Sequence, residues 1–328
     1  MAPRRGLGTL HIGQLLQMVL QDAQTRLFFK AQAVIQSEIR YYAPSADDLA
    51  YPDKLVVARR PATGYEVREK ESVSVLFRTS GADTRETWYP TLSKTVWVLS
   101  QLHDFVQPAI FDDLAQEAIN LCRQSLSAAA EQLAARNALD GALFLVRHLL
   151  ILKDMTRTLA LVVRSSAEPP PLAAPDTLAG MLARTTALLP SSLAESLGMA
   201  RADDVADAKH GIDADLERAC EAAIAALAAP LHAALAAPPA PPSSSSSTPD
   251  ALAAAFRDAC ARDLRAGVAR LRLYVEEERT ADVLLAHVRA RVGEACAGAR
   301  AAAGGRGMGA EEVERVLRAA CEEPGGRG

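Results

Sequence analysis

Residues 140–163 read D-G-A-L-F-L-V-R-H-L-L-I-L-K-D-M-T-R-T-L-A-L-V-V. Leu143, Phe144, Leu145, Val146, Leu149, Leu150, Ile151 and Leu152 leave almost no polar stripe before Lys153. A helix that is apolar nearly all round is buried among other helices or lies in a membrane. A membrane span needs about 20 mostly apolar residues, and here Arg147, His148, Lys153, Asp154 and Arg157 interrupt the run. Each central charge would cost roughly 2.5–3.5 kcal/mol in lipid. The segment is therefore expected at the centre of a helical core, where each buried Leu, Ile or Phe contributes roughly 1.5–3 kcal/mol. Asp140 is expected to be its N-cap, with Gly141 loosening the turn.

The pattern on either side is also helical. Residues 9–40 carry Ile12, Leu16, Val19, Ala23, Leu27, Ile35 and Ile39 at steps mostly of three and four, opposite Gln14, Gln21, Asp22 and Lys30. Pro44 stops this helix at Ala43, and residues 45–55 are expected to form a loop. Residues 56–87 lack periodicity and are expected as a mobile insertion; the alternative there is a short strand through Val73, Val75 and Phe77. Pro90 suits the first turn of a helix whose apolar face is Leu92, Val96, Leu99, Leu102 and Val106, widened by Trp97 and ended by Pro108. A further helix runs from Phe111 through Leu114, Ala118, Cys122 and Leu126 to about Arg136. Helices joined by such short turns pack as antiparallel neighbours.

Beyond a Pro/Ala loop, residues 176–198 and then 203–237 read as helix, the latter ended or kinked at Pro230. Residues 238–249 are Pro/Ser-rich and expected as a solvated linker. Asp250 is placed to cap a last helical pair, with Leu252, Phe256, Cys260, Leu264, Val268, Leu271 and Val275 on one member and Val283, Leu284, Val288, Val292 and Cys296 on the other. A glycine joint at residues 304–309 precedes a short helix over Glu311–Cys321.

Composition narrows the function classes. The formal net charge is −4, which implies no general attraction to nucleic acid. Five cysteines without a C-x-x-C pair suit a reduced, cytosolic compartment. The N-terminus has no continuous apolar run, so neither a signal peptide nor a membrane span is expected. No His-x-x-x-His, Glu-x-x-His, G-x-S-x-G or phosphate-loop pattern occurs. Asp207 and His210 lie one helical turn apart and read as a surface pair. Gly305 to Gly309 follows an alanine helix rather than a strand and reads as a link rather than a phosphate cradle. Asp112-Asp113 and Asp203-Asp204 suit helix N-termini. His103 and His148 are expected as partly buried packing residues, and the cysteines as small hydrophobes. Trp88 and Tyr89 are expected to staple into the core, a partner contact being the alternative. No catalytic, cofactor-binding or metal-binding residue is assigned.

Several stretches carry a resemblance. They are Gln21-Asp22 with Gln24 and Arg26-Leu27; the run from Asp48 through Tyr51, Pro52 and Asp53 to Leu55; and Trp88-Tyr89-Pro90-Thr91. Leu114 with Gln116-Glu117-Ala118, Cys122 with Gln124-Ser125-Leu126, and Asp140-Gly141 with Leu143-Phe144-Leu145 and His148 to Leu152 extend it. Together they resemble subunit 3 of the conserved oligomeric Golgi complex, specifically from about Gln21 to Asp154. The resemblance implies a non-enzymatic tethering subunit, peripheral on the cytosolic face of the Golgi membrane, acting in retrograde intra-Golgi transport. Through that transport it supports Golgi organisation and the retention of glycosylation enzymes. Implied partners are sister subunits, SNAREs, Rab GTPases and coat proteins. The family's chains are longer and carry an N-terminal coiled-coil assembly region, so the present sequence is expected to correspond to their C-terminal part. A generic helical adaptor binding one peptide in a groove is the alternative.

The expected architecture is all-α, an elongated stack of antiparallel helices. Its expected parts are an N-terminal helix and loop (1–55), an insertion (56–87), a central bundle (88–237), a linker (238–249) and C-terminal helices (250–328).

Overall fold

The computed structural model describes residues 12–59, 82–166, 202–236, 248–302 and 308–321. Among these, every regular element is helical: α1 (Ile12–Ile35), α2 (Asp53–Ala58), α3 (Pro90–Leu102), α4 (Pro108–Ala134), α5 (Ala138–Ser166), α6 (Ala202–Ala236), α7 (Thr248–Ala259), α8 (Arg265–Tyr274), α9 (Glu278–Ala302) and α10 (Ala310–Cys321). A π-helical turn, Gln36–Arg40, extends α1, and a second, Cys260–Leu264, joins α7 to α8. The proposed strand at residues 73–77, the helix at 176–198 and most of the 238–249 linker and 304–309 joint lie outside the described residues.

The leucine-dense segment is the axis of the fold. Leu143, Phe144, Val146, Leu149 and Leu152 of α5 are fully buried. Leu145, Leu150 and Ile151 are half-buried against the same core. Helix α4 precedes α5 through a tight turn and lies antiparallel to it. Helix α6 covers the other side of α5. Lys153 Nζ of α5 meets Asp213 Oδ1 near the start of α6 at 2.7 Å, whereas Leu139, at the start of α5, and Leu227, late in α6, both flank Gly267. The two helices therefore run antiparallel. Arg123 of α4 reaches Asp215 of α6 at 2.9 Å and closes the third side. Buried residues form one cluster from Ala31 of α1 to Cys321 of α10.

Several local expectations are corrected. The cap of α5 is Asn137, not Asp140: Asn137 Oδ1 accepts the backbone N–H groups of Leu139 and Asp140 at 3.0 and 3.2 Å. Asp140 falls in the first turn and is buried. Gly141 is not a turn residue but a close-approach point, since a Cβ there would sit 2.7 Å from Ala130 O and Ala134 Cβ of α4. Pro108 does not end α3, which stops at Leu102, but occupies the first turn of α4. That leaves Asp112 and Asp113 beyond the first turn of α4. The 45–55 loop ends in helix α2, which extends to Ala58, and the edge of the insertion at Ala82–Thr87 is a 3-10 turn. Helix α7 starts at Thr248, ahead of Asp250. Trp97 and Val283 are exposed rather than part of their apolar faces. Pro230 sits inside α6 without ending it.

Contrary to the expectation of no such segment, residues 211–236 of α6 are long and apolar enough, by length and composition, to cross a membrane. In the fold, Ile212, Ala219, Ala223, Leu227, Ala228 and Leu231 of that helix are core residues.

Two glycines within helices are expected to respond oppositely to the same substitution. Gly141→Ala forces α4 and α5 apart and should cost about 1–3 kcal/mol. Gly293→Ala in α9, where a Cβ meets nothing within 4 Å, should gain up to about 1 kcal/mol from helix propensity. Urea unfolding of the two variants measures both signs.

Candidate functional site

The polar residues of α5 gather a buried node. His148, fully buried, accepts the backbone N–H of Tyr89 at Nε2, 3.1 Å away, and its Nδ1 lies 2.8 Å from Phe144 O. A carbonyl can only accept, so the proton belongs on Nδ1 and the ring is neutral. Burial, with Arg147 and Lys54 nearby, pushes the His148 pKa down to about 3, against the opposing bond to Phe144 O. Tyr51 donates to Thr87 O at 2.6 Å and lies edge-on to both Phe144 and His148. Tyr89 packs edge-on to Phe144. The turn carrying Tyr51, whose bond to Pro52 is cis, is held by Asp48. That carboxylate accepts from Tyr42 Oη at 2.6 Å and from Ser45 N and Oγ at 2.9 and 2.7 Å. Burial opposes ionisation of Asp48, but these bonds and Lys54 hold its pKa below the usual value.

Arg147, also buried, reaches the other way. It donates to Tyr274 O and to Thr87 Oγ1, each at 2.9 Å, and pairs with Glu276 at 2.9 Å. Asp140 adds a second tie to α8 through Arg270 at 2.8 Å. Burial raises the Asp140 pKa, with Arg270 and Tyr274 opposing. The node joins α2, α3, α5 and α8. Its tyrosines are pushed above their ordinary pKa by burial first, and its imidazole stays neutral. It has the character of a structural clamp.

The surface offers a different feature. The first turns of α1 project from the body, and Ile12, Leu15, Leu16, Met18, Val19 and Leu20 are exposed. The sequence reading placed Ile12, Leu16 and Val19 on a buried face, but α1 meets the core only from Leu27 onward: Leu27, Phe28 and Val34 are half-buried against it, and Ala31, Ile35 and Ile39 are buried. Gln24 Nε2 donates to Phe105 O at 3.2 Å, which brings exposed Phe105 alongside α1.

Other singled-out residues are placed as follows. Trp88 and Tyr89 are buried, which upholds the staple reading. His103 sits at the end of α3, 2.8 Å from Asp104 and edge-on to Phe111. Cys122, Cys260 and Cys321 are buried, and Cys220 and Cys296 half-buried. Burial pushes Cys122 and Cys260 up to about 12. The side chains of Asp203, Asp204, Asp207 and His210 and the segment from Gly305 to Gly307 lie outside the described residues. Among the described residues, no three His, Cys, Asp or Glu side chains are placed to hold a metal. Sequence reasoning missed the roles of Arg147 and Asp140 in the node. The signal was present, since a lone arginine within a leucine run calls for a buried partner.

The family profile described as "Conserved oligomeric Golgi complex subunit 3, C-terminal" matches residues 4–166. Residues 4–166 are therefore similar to the C-terminal part of that subunit. Among curated relatives, the subunit 3 of Drosophila melanogaster is 36% identical over 165 residues, covering 43% of this chain and 18% of that protein. The mouse (Mus musculus) protein is 35% identical over 169 residues, covering 42% and 21%. The human (Homo sapiens) protein is 34% identical over 169 residues, covering 42% and 20%. The chain thus spans about a fifth of the length of these relatives. No solved structure matches the chain. Seen in the fold, the stretches that carry the family resemblance converge on the node: Asp48, Tyr51, Tyr89, Asp140, Phe144 and His148 all belong to it.

The neutral imidazole predicts an acid sensitivity. The unfolded chain protonates His148 near pH 6.5, the folded chain only near 3. Between these values the unfolded state holds the extra proton. Stability from this group is therefore complete above the upper value and falls as pH drops through the window, by up to about 1.4 kcal/mol per unit. His148→Gln keeps an acceptor for Tyr89 N–H but does not titrate. The wild-type advantage over this variant, measured by urea unfolding, should shrink steadily from about pH 7 to about pH 4.

Proposed function

We propose that this chain is a non-enzymatic part of a vesicle tether at the Golgi, peripheral on the cytosolic face, serving retrograde intra-Golgi transport. The observation that carries the reading is the family match over residues 4–166, joined to the use those residues find in the fold. Its most recognisable side chains are spent on packing and clamping one helical body, which leaves surfaces to act. The named relatives are subunits of a Golgi complex, so sister subunits are the first partners to expect. SNAREs, Rab GTPases and coat proteins are the further ones. A stiff helical body with several separate surfaces suits a tether, because contacts that are weak one by one gain strength when made together. The exposed turns of α1 are the surface we assign to assembly with sister subunits. Continuous exposed apolar residues of this kind mark interaction sites.

Affinity purification of the tagged chain from cells should recover other subunits of the Golgi tethering complex. The double variant Leu16→Glu/Val19→Glu changes residues that are 64% and 65% exposed. It should leave the unfolding free energy within about 0.5 kcal/mol while losing that recovery. Consistent absence of sister subunits with the wild-type chain would count against the reading.

A further inference from the structure

Outside the family-matched residues, a groove of about 990 Å³ runs between α9 and α10. Its floor is one face of α9, where Ala286, Ala290, Gly293, Ala297 and Ala301 recur at steps of three and four. The floor is open, since a Cβ on Gly293 would meet nothing within 4 Å. Met308 and Val313 form the apolar part of the opposite wall. From residue 286 to residue 301 the floor extends for about 22 Å at helical rise, the length of roughly four helical turns.

Charge at the rim selects the occupant. Among the described residues, Arg289 and Arg318 line the groove against one carboxylate, Glu314. Glu314 is shared, 3.5 Å from both Arg289 and Arg318. Arg289 Nε is buried without an acceptor. An apolar channel of this length with two guanidinium groups sharing one carboxylate fits a helix whose apolar stripe is flanked by carboxylates. An anionic membrane fits poorly. Membrane-binding helices present a protruding apolar face with cations beside it, whereas here the apolar surface is recessed between two helices.

We propose that the groove between α9 and α10 docks an acidic amphipathic helix of a partner protein. The site lies outside residues 4–166, so it stands apart from the tethering role. Apolar contact with the alanine floor supplies the seating, and the rim arginines set orientation and exclude basic helices.

The test uses the full chain and two fluorescent synthetic helices of about four turns each. Both carry leucine at i, i+3, i+4 and i+7; one is flanked by glutamate and the other by lysine. Anisotropy should show binding of the glutamate helix, with the lysine helix at least about tenfold weaker. Gly293→Leu, which fills the floor, and Arg318→Glu, which reverses a rim charge, should each weaken the glutamate helix by at least about tenfold. Arg318→Glu should also strengthen the lysine helix. Circular dichroism and the unfolding midpoint verify that each variant folds, and either folded variant suffices. Vesicles of phosphatidylserine and phosphatidylcholine form the lipid arm. Equal affinity for both helices, no binding of the glutamate helix up to about 1 mM, indifference to both variants, or groove-dependent binding of vesicles alone would each overturn the proposal.

Discussion

Two adjacent residues on one buried helix hold segments far apart in this chain together. His148 takes the backbone N–H of Tyr89, at the entrance to α3. Arg147 donates to the carbonyl of Tyr274, where α8 ends. Neither bond is replaceable by water once the helices have closed, and an unmade buried bond costs about 1–3 kcal/mol. The arginine is paired with Glu276, whose side chain is 55% exposed. The ion pair is therefore partly solvated at one end, which lowers the desolvation cost of burying the guanidinium. The imidazole, with no such outlet, stays neutral.

The residues that carry the resemblance are tied into this clamp. Tyr51, Tyr89, Phe144 and His148 form a contiguous set of ring contacts between 4.2 and 5.7 Å. Asp48 shapes the turn that delivers Tyr51, and Asp140 ties the start of α5 to Arg270. Each is constrained by geometry at a helix crossing. Gly141 belongs to the same logic, because α4 approaches α5 too closely there for any side chain.

Periodicity was informative where burial followed it. The α7–α8 stripe is half-buried at Leu252 and buried at Phe256, Cys260, Leu264, Val268, Leu271 and Val275, even though a π-helical turn interrupts the helix at Cys260–Leu264. In α1 the same kind of pattern led elsewhere. Its apolar spacing is real, but its first turns extend past the body and no described helix covers them. A pattern states that a face can be buried; it does not state by what.

From the sequence alone, the all-α class and the central place of residues 140–163 followed directly. Leucine density and a period of three to four residues are properties of neighbouring positions, and helix formation is local. Tertiary structure alone decided that Asn137 rather than Asp140 caps α5, that Arg147 clamps a carbonyl 127 positions away, and that the start of α1 stands free. Those outcomes depend on which helices arrive beside a residue. Contacts between distant segments are set by packing and desolvation, and these leave no periodic trace in the chain.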